Sequence, residues 1–402
     1  MAVIVQKYGG TSVGDADRIR AVAKRVARTR LAGNDVVVVV SAMGHTTDQF
    51  IELSRQVSPN EHPRAMDMLL TAGERISMAL LAMAIRDQGV EAVSLTGSQA
   101  GIITNMVHGR AEIEEVRAFR VKDHLDKGHV VIVAGFQGVS AADKEITTLG
   151  RGGSDATAVA MAAYLHADAC EVYTDVDGVF TADPKVVPEA RRLAEVSFEE
   201  MAQLAGAGAQ VLMLRSVMLG NRLGVPLHVR SSFHDGEGTW VRPVVSKGLG
   251  LVGVAHDAAC VLDLPGDPAA LAEALRSALE ATDLPFHGPW SHPKGVSVAI
   301  VGEQAGAARE VVERVAAQLG AGPVGVREDL GMATVVGSAL RTRPELADRA
   351  QEILVEGGIE ASWSEKAPEA IRVSFLVPAG RLEDAVRLLH RGLFPAPPEE
   401  AP

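Results

Sequence analysis

The chain has 402 residues and a formal net charge of −12 at pH 7, and it is 47% hydrophobic but only 4% aromatic. This length accommodates two or three domains, and a core with so few aromatic residues must be built mainly from Val, Ala and Leu. The acidic balance argues against nucleic acid and anionic membranes as partners. The sequence shows no basic amino-terminal segment and no apolar run of about 18 residues that would suggest a membrane span. Cys170 and Cys260 lack a CxxC spacing. We therefore expect a cytoplasmic protein with no membrane partner.

Residues 1–245 alternate short apolar runs with helical patterns. The runs predict strands near 2–7, 35–41, 92–96, 130–136, 170–175 and 226–231, and the intervening patterns predict helices near 15–31, 63–88, 114–127, 154–166 and 197–222. This alternation is typical of an α/β protein whose largely parallel sheet is covered by helices on both faces. Glycine-bearing loops follow several of the strands, and open α/β sheets bind ligands at that edge.

The first of these loops places a lysine beside two glycines. Lys7 ends the first predicted strand, and Gly9 and Gly10 follow before a helix. Backbone N–H groups in such a turn can donate to a phosphate. The simpler alternative for Lys7 is a solvated lysine at a strand end.

The run TTLGRGGSDATAVAMAAYLHA, residues 147–167, is the most informative segment of the chain. Its glycines permit strained dihedral angles and close approach of the backbone to a ligand. Ser154 is predicted to cap the following helix, so that the first N–H groups point at whatever binds there. Arg151 and Asp155 flank this position with opposite charges. We interpret the segment as an anion-binding loop; the alternative is a glycine-rich connection to a capped helix.

The carboxyl-terminal part contains an internal repeat. Residues 258–321 and 332–394 both read strand, helix, strand, strand, helix, with a period of about 74 residues. This order predicts two α+β modules with helices on one face of an antiparallel sheet. The tail PAPPEEAP is proline-rich and acidic, and we expect it to be disordered.

Five segments, in chain order, resemble the amino-acid kinase superfamily and within it the aspartokinases: KYGGTSV, SAMG, AGERIS, GRGGSD and TDVDGVFTADP. The resemblance covers residues 1 to about 235, and these motifs together are very specific. It implies an amino-acid kinase fold, a mostly parallel sheet sandwiched by helices, as a catalytic domain over residues 1–245. The repeats then look like the paired ACT modules that sense end-product amino acids, at residues 246–331 and 332–402.

The resemblance also implies a reaction and the residues for it. ATP would phosphorylate the side-chain carboxylate of L-aspartate, with Lys7 on the transferring phosphoryl group and Asp155 orienting that lysine. Arg151 offers a planar guanidinium for the α-carboxylate, and Glu74 supplies negative charge for a free α-ammonium, which favours aspartate over N-acetylated glutamate. The plain alternative for Asp155 and Glu74 is a favourable charge near a helix start, and for Arg151 it is an ion pair with a neighbouring acid. The remaining substrate-binding residues implied by the motifs are Ser41, Thr47, Gly152 and Gly153.

The nucleotide site follows from the same resemblance. Its implied residues are Lys7, Gly9, Gly10, Thr174, Asp175, Asp177, Phe180, Asp183, Lys185 and Gln210. Asp183-Pro184 also has a simple explanation as a turn. Gln210 stands where the family usually has a lysine, which weakens ATP binding unless Arg215 compensates. The implied metal is Mg²⁺ held by phosphate oxygens, so we expect no protein metal site.

The ACT-like modules depart from the family pattern. The first reads LPGDP and then LPFHGPWSHPKG, where the family has an Asn-Ile-rich strand that grips the effector, and the second reads RTRPEL where His-Pro-Gly is usual. The strand that usually closes the second module after its last helix is also missing from the pattern. We expect the modules to persist as surfaces of a homodimer or higher oligomer, while their effector pocket is altered or lost.

We therefore predict an aspartate kinase that uses ATP and Mg²⁺ and catalyses the first step of aspartate-family amino-acid biosynthesis, which leads to lysine and threonine, or of a dedicated pathway that uses aspartate semialdehyde. Two alternatives remain open. One is a kinase for a related amino acid, which the pairing of Arg151 with Glu74 disfavours. The other is a catalytically weak sensor on a kinase scaffold, which intact Lys7 and Asp155 disfavour.

Overall fold

The computed structural model describes residues 2–60, 62–243, 250–282, 284, 286–302, 305–361, 363–365 and 371–394. The chain divides into two units. The first contains Met1–Val179, Ala194–Phe198 and Val211–Val244, and the second contains Phe180–Leu193, Glu199–Gln210 and Val245–Pro402. The chain therefore enters the second unit twice before the long segment Val245–Pro402 begins.

The strands of the first unit are β1 (Val3–Tyr8), β2 (Asp35–Val40), β3 (Ala92–Leu95), β4 (Ile102–Thr104), β5 (Ile113–Val116), β6 (Val130–Ala134), β7 (Gln137–Ser140), β8 (Ile146–Thr148), β9 (Ala169–Thr174), β10 (Glu195–Ser197), β11 (Leu227–Ser231) and β12 (Thr239–Arg242). The helices up to residue 223 are α1 (Ala16–Leu31), α2 (Thr46–Val57), α3 (Pro63–Arg86), α4 (Gly97–Ala100), α5 (Phe119–Leu125), α6 (Gly153–Leu165), α7 (Phe198–Gly206) and α8 (Leu214–Leu223). A 3₁₀ helix also covers Gly10–Val13.

The main sheet of the first unit is mostly parallel, as the sequence predicts. Its strand order is β10-β12-β11-β9-β1-β2-β6-β3, and within it only the β11–β12 pairing of the described residues is antiparallel. β2 has the sequence DVVVVV, and Val36 to Val40 are all fully buried, as expected for a central strand covered on both faces. β1 lies between β2 and β9, with Lys7 paired with Val39 on one side and Val172 on the other. The six strands predicted here are confirmed.

Two predicted helices are wrong in extent. Residues 114–127 begin as β5, in which Ile113 and Val116 flank two exposed glutamates, and only Phe119–Leu125 is helical. Residues 197–222 form α7 and α8 with a break between them, where Gly208 has φ +103°. A dihedral angle of this sign ends a right-handed helix. The sequence reading also missed α2 and a second sheet of order β5-β4-β7-β8.

Helix α3 is long and apolar enough to cross a membrane by length and composition alone, which the sequence reading did not anticipate. Half of its most apolar window is nevertheless buried inside the protein. Met78, Leu81 and Ile85 belong to a core cluster that also contains residues of α1, β2 and β6. The helix also buries Asp67 and Glu74. These features are those of a core helix.

The second unit contains one further sheet and the remaining helices. Its strands are β13 (Gly253–Pro265), β14 (Phe286–His292), β15 (Gly295–Val301), β16 (Gly325–Val336), β17 (Trp363–Glu365) and β18 (Arg372–Pro378). Its helices are α9 (Pro268–Glu280), α10 (Ala305–Gln318), α11 (Ala339–Thr342), α12 (Glu345–Glu356) and α13 (Leu382–Leu393). The order β14-β15-β13-β16-β18-β17 is antiparallel throughout the described pairings, and the predicted strand-helix-strand-strand-helix repeat is present.

The two repeats join in one sheet, because β13 of the first repeat pairs with β16 of the second. The amino-terminal half of β13, from Gly253 to Ala259, pairs with the end of β16, whereas its carboxyl-terminal half pairs with β15 and the start of β16. A core around α9 and α10 contains Leu262, and a separate core around α12 and α13 contains Val254. β16 also runs through the boundary that the sequence places at residue 331. The division into domains 1–245, 246–331 and 332–402 stays a prediction, and the tail 395–402 lies outside the described residues.

Candidate active site

Lys7 and Asp155 form a largely buried ion pair beside the central strands. Lys7 lies near the end of β1, and its Nζ is 2.6 Å from Oδ1 of Asp155 in the first turn of α6. Their side chains are only 12% and 9% exposed. An ion pair with so little solvent around it is screened much less than a surface pair, so the carboxylate holds the ammonium in one place.

The glycine turn after β1 packs against the turn after β2. A Cβ at Gly10 would lie 2.9 Å from the carbonyl oxygen of Ala42, so no side chain fits there. The Gly44 N–H donates to Gly10 O at 3.0 Å, and the Ser41 N–H donates to Tyr8 O at 3.1 Å. The Gly9 N–H makes a long bond of 3.4 Å to Tyr173 O. Both turns therefore lie at the carboxyl edge of the sheet, as predicted.

Glu74 is a buried carboxylate with only part of its hydrogen-bonding capacity used. It lies on α3 and is 3% exposed, and its Oε1 accepts the Ala42 N–H at 3.1 Å. Among the described residues its Oε2 has no hydrogen-bond partner. Burial raises the pKa of Glu74 to about 7, although the bond from Ala42 opposes this effect. A carboxylate in this state gains from an incoming cation.

The loop from Gly150 to Gly153 takes its shape from left-handed glycines. Gly150 has φ +74° and Gly152 has φ +71°. A Cβ at Gly152 would lie 2.6 Å from Cγ of Met213. Arg151 is exposed in this loop, and its assignment to the α-carboxylate of the substrate stays a prediction.

The prediction that Ser154 caps α6 is wrong. Gly152 occupies the N-cap position without a side-chain bond, and Ser154 is buried inside the first helical turn. A Cβ at Gly135, after β6, would lie 2.9 Å from the Ser154 side chain. Ser154 therefore packs the helix start against the sheet. Ser41 and Thr47 are both half-buried, and Thr47 lies in the first turn of α2.

The sequence reading missed a buried network around Asp67, which is 0% exposed. His108 Nδ1 lies 2.6 Å from Oδ2 of Asp67, the Gly109 N–H donates to Oδ1 at 3.0 Å, and the Thr148 hydroxyl donates to Oδ1 at 2.6 Å. Asp67 precedes Glu74 by seven residues, or two helical turns, so both occupy one face of α3. A carboxylate on the buried face of an apolar helix is the signal that could have revealed it.

Arg215 is engaged in other hydrogen bonds and so does not supply the cation that is missing at Gln210, where the family usually has a lysine. Its Nη1 donates to Leu149 O at 2.8 Å and its Nη2 donates to Ala111 O at 3.1 Å. These bonds join the strand that precedes the Gly150 loop to the segment before β5. Arg215 therefore braces the loop through its backbone.

The predicted nucleotide residues fall in both units. In the first unit, Thr174 ends β9 and its hydroxyl donates to Asp175 at 3.1 Å, while Asp177 pairs with His234 at 2.7 Å. The other four lie in segments of the second unit: Phe180, Asp183, Lys185 and Gln210. Of these, the Asp183 carboxylate accepts the Lys185 N–H at 2.8 Å, as the turn explanation requires. Their assignment to a nucleotide site stays a prediction.

The described residues contain no group of three or more His, Cys, Asp or Glu side chains that could hold a metal ion. Cys170 is buried near Asp155, and burial raises the pKa of its thiol well above the usual range. The thiol therefore stays protonated at neutral pH.

Comparison with known proteins identifies the class to which this site belongs. The model of the amino acid kinase family matches residues 2–231, so the chain belongs to that family. Within it, the chain belongs to the aspartokinases. It is 48% identical over 404 residues to the aspartokinase of Mycolicibacterium smegmatis, an alignment that covers 97% of this chain and 96% of that protein. It is 45% identical over 415 residues to the aspartokinase of Mycobacterium bovis, with 100% and 98% covered.

A solved structure agrees with this assignment. Aspartokinase III of Escherichia coli, in complex with aspartate and ADP in the R-state, superimposes with a TM-score of 0.81 at 26% identity. The match covers 98% of this chain and 100% of that chain. The predicted fold class, an amino-acid kinase fold with a mostly parallel sheet and helices, is thereby confirmed.

Proposed function

We propose that this chain transfers the γ-phosphoryl group of ATP to the side-chain carboxylate of L-aspartate and releases ADP and 4-phospho-L-aspartate. A carboxylate oxygen of aspartate forms the new bond to phosphorus, and the bond to the oxygen that bridges the β- and γ-phosphates breaks. The acceptor is already ionised at neutral pH, so no general base is needed. Catalysis then consists of positioning and charge stabilisation.

Lys7 and Asp155 supply the stabilisation. The Lys7 ammonium offsets negative charge on the transferring phosphoryl group, and the carboxylate 2.6 Å away keeps it in place. A buried lysine held in this way matches the charge stabilisation that phosphoryl transfer requires. The geometry therefore supports an enzyme over the sensor alternative.

The observation that carries the proposal is the unpartnered Oε2 of Glu74. A buried carboxylate with a raised pKa is stabilised by a cation beside it, and the α-ammonium of aspartate is such a cation. Arg151, exposed on the Gly150 loop, supplies a planar guanidinium for the α-carboxylate. An N-acetylated substrate carries no charge at this nitrogen and would leave Glu74 unpaired.

The Mg²⁺ ion that accompanies ATP is proposed to be held by phosphate oxygens. The described residues provide no cluster of three metal-ligating side chains, and Mg²⁺ characteristically keeps phosphate and water ligands. When bound, the ion neutralises charge on the phosphates. Gly9 and Gly10 are proposed to contact the phosphates, and Thr174, Asp175 and Asp177 the adenosine.

Three further attributes remain proposals. The chain would act in the cytoplasm at the first step of aspartate-derived amino-acid biosynthesis. The second unit would join two copies into a dimer. Lysine or threonine would be the end products of the route that the reaction begins.

The test is a coupled ADP-release assay with aspartate and N-acetylglutamate, on the wild type and Lys7→Ala. We expect turnover with aspartate only, and a fall in kcat of about 10²–10³-fold in Lys7→Ala, the usual effect of losing one charge-stabilising group. Lys24→Ala, at an exposed position of α1, is the matched control. Activity of Lys7→Ala within threefold of the wild type would contradict the assignment of this lysine.

A further inference from the structure

The network around Asp67 lies in the first unit, and the chemistry proposed above does not use it. Its carboxylate is completely buried, yet it accepts bonds from a histidine, a backbone N–H and a hydroxyl. Removing a carboxylate from water is costly, and such groups rarely add net stability compared with apolar residues of the same volume. The geometry that these bonds fix therefore explains the buried carboxylate of Asp67 better than a contribution to stability does.

The bonds of Asp67 join two segments that face each other beneath the Gly150 loop. The Thr148 side chain donates to Asp67, while the Thr148 carbonyl accepts the Ala111 N–H at 2.8 Å. Gly109, which also donates to Asp67, approaches so closely that a Cβ at Gly150 would lie 3.0 Å from its carbonyl oxygen. Thr148 is thus fixed on both sides, two residues before the loop begins to turn.

Arg215 closes the other end of the same pair of segments. It donates to the carbonyl oxygens of Leu149 and Ala111. Leu149 directly follows Thr148, and Ala111 lies two residues after Gly109; Thr148 and Gly109 are the residues that donate to Asp67. Thr148 is thereby tied to α3 through Asp67, and Leu149 is tied to α8 through Arg215. Arg151 lies two residues after Leu149.

Asp67 and Glu74 share one rigid helix. At 1.5 Å of rise per residue, their separation of seven positions corresponds to about 10 Å along α3. Asp67 ties this helix to the segment that carries Arg151, and Glu74 itself bonds the Ala42 N–H in the turn after β2. The helix thus connects the two groups proposed to hold the opposite charges of the substrate.

We propose that Asp67 is a positioning residue for the acceptor substrate, because it fixes the distance between the Arg151 guanidinium and the Glu74 carboxylate. The inference rests on the proposed function, in which these two groups bind the α-carboxylate and the α-ammonium of aspartate. The spacing of two charges on one amino acid is fixed by its covalent structure. A site whose cation and anion can drift apart therefore loses affinity for that amino acid before it loses the nucleotide.

The first test compares Asp67→Asn with the wild type in steady-state assays that vary aspartate and ATP separately. We expect the KM for aspartate to rise at least about tenfold, since displacements near 1 Å can cost up to about 100-fold. The KM for ATP should stay within twofold. A purely structural defect would instead reduce the active fraction and lower the apparent kcat with both KM values unchanged, and that result would overturn the proposal.

A second pair of variants applies even if Asp67→Asn does not fold. Thr148→Val keeps the shape but removes the hydroxyl that donates to Asp67, whereas Thr148→Ser retains it. The valine variant should reproduce the selective rise in the KM for aspartate, and the serine variant should stay within about threefold of the wild type. Equal KM values for the two variants would overturn the inference.

Glu171→Gln is the matched control, because Glu171 is also a largely buried carboxylate of the first unit with several donors, Gln6, Tyr173 and Arg230. It should lower the melting temperature without raising the KM for aspartate selectively. Wild-type turnover of aspartate is measured first. Turnover by the wild type with unchanged kinetics in Asp67→Asn refutes only the positioning role, whereas an inactive wild type refutes the proposed function and the inference together.

Discussion

Single charged side chains in this site differ in how completely their partners satisfy them. Lys7 and Asp155 form an ion pair at 2.6 Å, although Oδ1 of Asp155 has no hydrogen-bond partner among the described residues, and Asp67 has a donor for each of its oxygens. Glu74 has one bond and one oxygen without a partner. Unsatisfied buried polar atoms are uncommon in folded proteins, and this one coincides with a position that the sequence motif assigns to substrate.

Arg151→Lys tests whether the planar guanidinium is needed. Lysine keeps the charge but cannot form two parallel bonds to a carboxylate. We expect the KM for aspartate to rise far more than the KM for ATP, measured in the ADP-release assay. Arg222→Lys, at an exposed position of α8, should change neither. Equal effects on both KM values would mean that Arg151 serves the nucleotide or the transition state.

The pKa of Glu74 predicts a pH dependence of substrate binding. In the proposed site the α-ammonium requires the ionised Glu74 carboxylate, and burial raises the pKa of Glu74 to about 7. We therefore expect the KM for aspartate in the wild type to rise as the pH falls from 8 to 6, while the KM for ATP changes little. Initial-rate measurements across this range check the prediction. A KM for aspartate that stays flat between pH 6 and 8 would contradict it.

The same shift affects stability, with a definite sign. The folded state holds a proton on Glu74 up to about pH 7, whereas the unfolded state releases it near 4.3. Stability is therefore lost as the pH rises between these values. At pH 8 the ionised group costs on the order of 3 kcal/mol. Glu74→Gln should raise the melting temperature more at pH 8 than at pH 5.5, while abolishing aspartate turnover. Equal melting temperatures at pH 8 would refute this.

At the scale of elements, the sequence predicts most of what continuous patterns determine. DVVVVV specifies a buried strand without help from the rest of the chain, and the order of runs and helices specifies a parallel sheet. The three-residue β4 and β8 are too short to leave a periodic pattern. Gly208 divides α7 from α8 through a positive φ angle. The helical pattern of the residues on either side does not reveal this break.

Site residues could be predicted where one segment of the sequence carries a motif. They could not be predicted where the interacting side chains are distant in sequence. Lys7 and Asp155 are 148 positions apart, and only the resemblance placed them together. The bonds from His108 and Thr148 to Asp67 span 41 and 81 residues. Ser154 satisfies the usual composition of an N-cap, but the left-handed Gly152 starts the helix two residues earlier than a serine cap would.

Helix α3 approaches the turn after β2 through Gly73, and replacing this glycine tests that approach. By helix propensity alone, Gly73→Ala should stabilise α3 by about 1 kcal/mol. A Cβ at Gly73 would, however, lie 2.7 Å from Cβ of Ala42, whose N–H holds Glu74. We expect the contact to prevail, with a lower melting temperature and a higher KM for aspartate.

The matched control for this substitution is Gly306→Ala in the first turn of α10, where a new Cβ would have nothing within 4 Å. It should leave the melting temperature unchanged or raise it slightly. Stabilisation by Gly73→Ala with unchanged kinetics would show that α3 can move away from Ala42 at no cost.

At the scale of the whole molecule, the open question is regulation. Feedback control requires an effector that binds two global states differently. The segment that should line an effector pocket is β14, an edge strand whose pairing with β15 shifts in register between His287 and Trp290. Bulky Phe286 and Trp290, with several prolines, replace the small and amide-bearing residues that would hold the charged ends of an amino acid. We therefore predict that millimolar lysine plus threonine changes the activity less than twofold.

The measurement is the ADP-release assay with and without both amino acids, together with calorimetry on the same protein. Sedimentation at several concentrations would show whether a dimer forms, as we expect, and whether the amino acids alter it. Inhibition well beyond twofold, or calorimetric binding at micromolar affinity, would show that the divergent modules retain an effector site.

The pairing of the long strands β13 and β16 imposes an order on folding events during synthesis of the chain. Gly253 pairs with Val336, which the ribosome adds 83 residues later, or about 4–17 s at ordinary elongation rates. The other half of β13 finds part of its partner sooner, since Val261 pairs with Ala299 in β15. One β13–β15 pairing can therefore form while the strand's other end still presents an unpaired edge to the cell. Translation speed between residues 265 and 336 thus sets how long the nascent chain carries that exposed edge.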